Sequence, residues 1–256
     1  MNSRTTIILS FSIAVALAVT NMSQARPLDE IRASGTLKVG VPGDYAPLAF
    51  YDKDKNLVGF DVDLIQDYAA KQNLTVEFVP TSWPTVSQDL KANQFDVAIG
   101  GITFTDQRAQ EFFLTEEILP NGKIALARCT ISQEIGNFEK INQPTVTLVV
   151  NPGGTNESFV NERIDKANVV RVKDNFDNIQ ALRDQTADVM ITDLIEGKYY
   201  QHNEPNVLCM ATTEPFTGTA SYKAYMVNQD DGKLLNSLNG WLQNTELKTF
   251  QDKWGM

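Results

Sequence analysis

The chain has 256 residues, with 22 Lys and Arg against 32 Asp and Glu, a formal charge of −10, one histidine and two cysteines. An acidic chain without a basic run excludes nucleic acid and anionic membrane surfaces as partners. The single His202, in the polar stretch 201–204, excludes a His-rich metal centre, and no residue pattern calls for a metal or a cofactor. Residues 1–25 read as a secretory signal: a basic residue at Arg4, an apolar run from Ile7 to Val19, and small residues at Ser23 and Ala25. A retained N-terminal anchor is the alternative. No second long apolar segment follows, so no membrane insertion is expected once the signal is removed. The exported remainder suffices for two modest domains or one large one. Cys129 and Cys209 in an oxidising compartment favour one disulfide over a metal site or a thiol nucleophile, with two buried free thiols as the alternative.

Strands and helices then alternate along the chain. "TLKVGV" (36–41) is a β-rich run. "GFDVDLIQDYAAKQ" (59–72) places Phe60, Leu64, Ile65 and Tyr68 at helical spacing. "TVEFVP" (75–80) predicts a strand, "WPTVSQDLKANQ" (83–94) a helix with an early Pro, and "DVAIGG" (96–101) another strand. The order restarts with the strand "TVTLVV" (145–150), a glycine turn and a helix from about Asn156. It continues with "NVVRV" (168–172), the helix "NFDNIQALRDQ" (175–185) and the strand "DVMIT" (188–192). Two such series predict two α/β lobes, each on a mostly parallel sheet. "GKIALARC" (122–129) and "SYKAYMV" (221–227) are the expected crossings, and the C-terminal segment reads as helices returning to the first unit. The expected division is 26–122 with 223–256 as lobe 1, and 123–222 as lobe 2. Loops at the carboxyl ends of the strands, after Val41, Gly101, Val150 and Thr192, should face a hinged cleft between them.

"LDEIRASGTLKVGV", "YAPLAFYDKDKNLVGFDVDL", "FDVAIGGITFTDQRAQEFFLTEE" and "DVMITDLIE" resemble the type II periplasmic amino-acid-binding proteins, from about Leu28 to Trp254. That family implies a two-lobe fold closing on a small ligand, periplasmic export and delivery of an amino acid to an ABC permease. "GDYAPL", "PTSWP", "INQPTV", "NPGGTNE" and "TDLIE" are in addition similar to the cyclohexadienyl dehydratases, exported enzymes built on the same fold. This second resemblance implies a carbon–oxygen lyase without cofactor. Its substrate would be prephenate, converted to phenylpyruvate, or arogenate, converted to phenylalanine. The two cysteines also fall at positions similar to a cysteine pair in those enzymes.

The candidate residues follow from the same segments. Arg108 in "TFTDQR" offers a planar two-pronged donor for a carboxylate, and the binding-protein resemblance gives it the ligand's α-carboxylate with Thr103 assisting. A surface salt bridge with Asp106 is its plain alternative. Thr155 and Asn156, at a glycine-led helix start, could receive a second carboxylate, or Thr155 could simply cap the helix. Trp83 could wall a cyclic ligand or belong to the core. Asp44 and Tyr45 could offer an acceptor and a hydroxyl, or cap a turn. Lys123 could attract a carboxylate or be a solvated hinge charge. Asp193 and Glu196 could form a capping box. In the binding-protein reading Asp193 takes the ligand's α-ammonium; in the enzyme reading Glu196 is the general acid, which requires a raised pKa.

Overall fold

The computed structural model describes residues 24–256, so all of the expected leader but its last two residues lies outside them. Two five-stranded sheets organise the molecule. The first runs Thr75–Pro80, Thr36–Val41, Val97–Ala98, Met226–Asn228, Phe112–Leu114. Its first three strands are parallel, and Met226–Asn228 enters antiparallel from late in the chain. The second runs Asn168–Arg171, Thr147–Val150, Val189–Asp193, Lys123–Arg128, Leu208–Met210; the first three are parallel, and Lys123–Arg128 pairs antiparallel with both of its neighbours. Helices cover the sheets, and the central strands are accordingly continuous apolar runs rather than alternating ones. Every residue of Val189–Asp193 is buried. The helix Phe60–Lys71 turns Phe60, Leu64, Ile65 and Tyr68 into the first core, as their spacing predicts. Leu148, Val150, Val189 and Ile191 anchor the core of the second lobe.

The first crossing differs from the expectation, and the second takes up only the start of the segment expected for it. The chain leaves the first lobe through Leu119–Asn121 and returns through Ser221–Lys223, which pair antiparallel. Lys123–Arg128 is instead an interior strand of the second sheet, because five of its six residues are buried and a connector would expose them. Met226–Asn228 likewise belongs to the first sheet, which makes that lobe discontinuous. Cys129 and Cys209 are bonded, with Cα atoms 4.7 Å apart, and staple the last two strands of the second sheet across 80 residues of chain. Among the described residues no helix is long and apolar enough to cross a membrane.

The lobes are closed on one another. Ala46, from the loop after the first strand, packs among Ile124, Met190 and Tyr200 of the opposite lobe. Gly153 has φ +91°, and a Cβ there would lie 2.3 Å from the Pro84 nitrogen across the cleft. The two walls therefore meet backbone to backbone at the only residue type that permits it.

Candidate active site at the lobe interface

The strand Val189–Asp193 delivers Asp193 to the cleft, where the chain turns into the helix Leu194–Asn203. Asp193 stands at the N-cap position, yet its side chain caps nothing. Its carboxylate is turned into the interface and holds four donors. Asn121 Nδ2 and Lys123 Nζ each donate to Oδ1 at 2.7 Å; the Tyr45 hydroxyl (2.5 Å) and Lys223 Nζ (2.7 Å) donate to Oδ2. The capping box is thus not the arrangement the protein adopts. Burial alone would push this carboxyl up, but the two ammoniums outweigh it and hold it well below the usual range.

Both lysines are nearly inaccessible and use all three of their N–H groups. Lys123 also donates to Thr155 Oγ1 (2.7 Å) and Asn156 Oδ1 (2.6 Å), at the start of the helix Thr155–Arg163. Burial pulls its ammonium down to about 8, against the attraction of Asp193. Lys223 also donates to the Gly101 carbonyl and to Thr103 Oγ1, both at 2.9 Å. Gly154, not Thr155, occupies the N-cap position of the helix, so Thr155 is its first residue and its hydroxyl accepts from the lysine.

Glu196 lies one turn into the same helix and is completely buried. Asn175 Nδ2 donates to Oε1 at 2.6 Å, and the Thr192 hydroxyl donates to Oε2. Burial pushes the carboxyl up to about 8; these two hydrogen bonds oppose the shift, and the charges of Asp193 and Asp44 add to it. At neutral pH Glu196 carries its proton while Asp193, three residues earlier, is ionised. Helix geometry brings the pair together, and the number of cations facing each decides their opposite states.

On the other wall Arg108 sits in the short helix Asp106–Glu111. It gives one N–H to the Thr103 carbonyl at 2.7 Å and pairs with no carboxylate among the described residues, Asp106 included. Burial lowers its guanidinium to about 10, partly offset by Asp193, so it remains charged at neutral pH. The turn beneath it is fixed by Asp61, whose Oδ2 accepts from the Gly100 and Gly101 N–H groups at 3.0 Å each.

Tyr45, Trp83, Thr103, Arg108, Thr155, Asn156 and Asp193 surround one small cavity of about 20 Å³, the room of a single water. It adjoins a groove of about 780 Å³ lined by Arg108, Lys123, Gly154 and Thr155 that opens to solvent. Trp83 presents its edge to Tyr45, with ring centroids 5.8 Å apart. Asp44 and Glu196 do not line the cavity. Asp44 is spent on structure: its Oδ1 accepts from Trp83 Nε1 (2.8 Å) and its Oδ2 from the Asn175 N–H (3.0 Å), which latches one lobe to the other. Lys223, Asn121, Asn175 and Thr192 escape the sequence reading. Lys223 could have been suspected, being the one charge in the expected crossing 221–227; the other three carry no signal apart from their neighbours.

The class of protein is settled by comparison. Residues 37–256 match the bacterial extracellular solute-binding proteins, family 3, and the chain belongs to that family. It is 32% identical over 234 residues to a cyclohexadienyl dehydratase of Pseudomonas aeruginosa, spanning 91% of this chain and 86% of that one. It is 23% identical over 252 residues to the L-cystine-binding protein TcyJ of Escherichia coli strain K12, spanning 96% and 92%. The solved structure of AncCDT-1, an ancestral amino acid-binding protein and a precursor of cyclohexadienyl dehydratase, superposes with a TM-score of 0.81 at 30% identity, over 88% of this chain and 98% of that one.

Proposed function

We propose that this chain is a periplasmic cyclohexadienyl dehydratase, converting prephenate to phenylpyruvate, arogenate to phenylalanine, or both. The observation that carries the reading is Glu196: a buried carboxyl, protonated at neutral pH, beside a cleft that also holds Arg108, Lys123 and Lys223. Prephenate carries two carboxylates and a ring hydroxyl. Arg108, with Thr103, receives one carboxylate; the N–H groups at the helix start of Thr155 and Asn156, with the charge of Lys123 behind them, receive the other. Trp83 walls the ring and keeps water out.

The reaction then needs one proton. The electrons of the ring carbon–carboxylate bond move into the ring as carbon dioxide departs. The hydroxyl leaves as water on taking the Glu196 proton, and the ring becomes aromatic. Hydroxide would be a poor leaving group, and a placed general acid is typically worth about 10²–10⁴-fold. Thr192 and Asn175 aim the carboxyl. In the closed cleft Tyr45 reaches across the interface to the ionised Asp193. A substrate entering the opened cleft takes the place of this lobe-to-lobe contact, beside Asn175, the cavity residue that bonds Glu196.

The rival reading, an amino-acid-binding protein serving an ABC permease, has the family and relatives such as TcyJ in its favour. Against it stands Asp193, whose carboxylate is already paired with two ammoniums of the protein itself, Lys123 and Lys223. An ultraviolet assay of the purified protein with prephenate and with arogenate separates the two. Turnover of either is expected; none of either, together with tight binding of an amino acid, overturns the enzyme.

A further inference from the structure

Resting on the dehydratase reading, we infer that the cleft is built for a substrate ending in an α-keto carboxylate rather than an α-amino acid, and that Lys223 sets this preference. An ionised carboxylate offers about four lone-pair positions. Those of Asp193 are taken by Asn121, Lys123, Tyr45 and Lys223, all within 2.7 Å. A substrate α-ammonium could take only the place that Tyr45 leaves when the lobes part, and there it would be the third cation on a single carboxylate.

Lys223 is the donor least able to yield. It is 2% exposed, and its three N–H groups are tied to Gly101, Thr103 and Asp193. Its Nζ also lies 5.0 Å from the centre of the Tyr45 ring, on whose face a cation is favoured. It rides on the return strand Ser221–Lys223, at the hinge itself, rather than on a mobile loop. Tyr45, by contrast, comes from the other wall and departs when the lobes part.

Charge balance at Asp193 itself points the same way. Its carboxylate already meets the ammoniums of Lys123 and Lys223 and feels the guanidinium of Arg108 on the other wall. A keto acid adds no further cation to this group, whereas the amino-acid counterpart brings one more ammonium beside the two lysines.

The test has two arms, turnover and binding. In the first, kcat/KM is compared for prephenate and arogenate with the wild type and with Lys223→Gln. A wild-type preference for prephenate of about tenfold or more is expected, and the ratio should narrow about tenfold in the variant. In the second, calorimetry compares phenylpyruvate with L-phenylalanine, and the keto acid should bind more tightly. Arogenate used as well as prephenate, or phenylalanine bound as tightly as phenylpyruvate, overturns the inference and leaves the dehydratase standing. A keto-acid preference in binding without turnover of either substrate does the reverse. An unchanged ratio in folded Lys223→Gln removes Lys223 from the assignment; if that variant does not fold, the wild-type comparisons decide.

Discussion

The two walls of the cleft are made by different means. In the first lobe the glycine turn after Val97–Ala98 is fixed from below by one carboxylate, Asp61, accepting two backbone N–H groups. Burial pushes Asp61 up to about 6, but these bonds restrain it, and the wall offers a cation, Arg108, without a counter-ion. In the second lobe, strand and helix meet at Asp193 and Glu196, and side chains do the fixing: Asn121, Lys123, Lys223, Thr192 and Asn175. One wall is set by backbone geometry, held by a single carboxylate. The other is a network of coupled charges in which two carboxyls three residues apart hold opposite protonation states. Binding can be done by the first kind of wall; proton delivery needs the second.

If that division holds, substitutions on the two walls should fail differently. Glu196→Gln keeps the shape and removes the proton, so kcat for the proposed dehydration should fall by about 10²–10⁴-fold while product binding stays near wild type. A variant retaining most of its turnover would leave the acid elsewhere. Arg108→Ala should act on affinity instead, raising KM by up to about 100-fold and abolishing the rise in melting temperature given by phenylpyruvate. An undiminished thermal shift would remove Arg108 as the carboxylate anchor. Between the walls, Gly153→Ala places a Cβ against Pro84 at a backbone angle that Ala adopts poorly. The closed form should lose about tenfold in population and in kcat/KM, and small-angle scattering should show a more extended molecule. Equal dimensions and equal rates would mean that the lobes meet without needing a glycine there.

The sequence made the first wall easier to foresee than the second. Alternating strands and helices, with apolar spacing such as Phe60, Leu64, Ile65 and Tyr68, disclose two α/β units because each period follows from one face meeting one core. Arg108 and Thr103 belong to one short motif, so a local reading finds both. The first crossing lies three residues before its expected start while the second keeps its start at Ser221, since "KIALAR" is equally apolar as a connector or as an interior strand and only its neighbours decide. The charge network is non-local by nature. Lys223 reaches Asp193 over 30 residues of chain, Tyr45 over 148, and no spacing rule links them. For the same reason the sequence suggests that Glu196 needs a raised pKa but cannot supply the Thr192–Asn175 cradle that holds it.

The smallest expected effect is also the most direct reading of the second wall. Unfolded, Glu196 has an ordinary value of 4.5; folded, it is pushed up to about 8 by burial. Between these values the folded protein keeps a proton that the unfolded chain has released, so its stability falls as pH rises from about 4.5 to about 8. Asp61 contributes a slope of the same sign only up to about 6. Asp193 has the opposite sign: its folded value lies below 3.8, so its contribution is present above that and is lost in acid. Lys123, lowered to about 8 from 10.5, adds stability with rising pH only above about 8. Between pH 6 and pH 8 Glu196 is therefore the main source of a falling slope in this network, and comparison with a Glu196 variant separates it from Asp61 and Lys123. Glu196→Gln, which carries no titrating group, should be flatter there than the wild type, and the two melting curves should separate by several degrees by pH 8. Over the limb above about pH 8, kcat should fall as the acid gives up its proton. Parallel melting curves would mean that Glu196 is ionised in the folded protein, and a carboxylate already ionised has no proton to give a leaving hydroxyl.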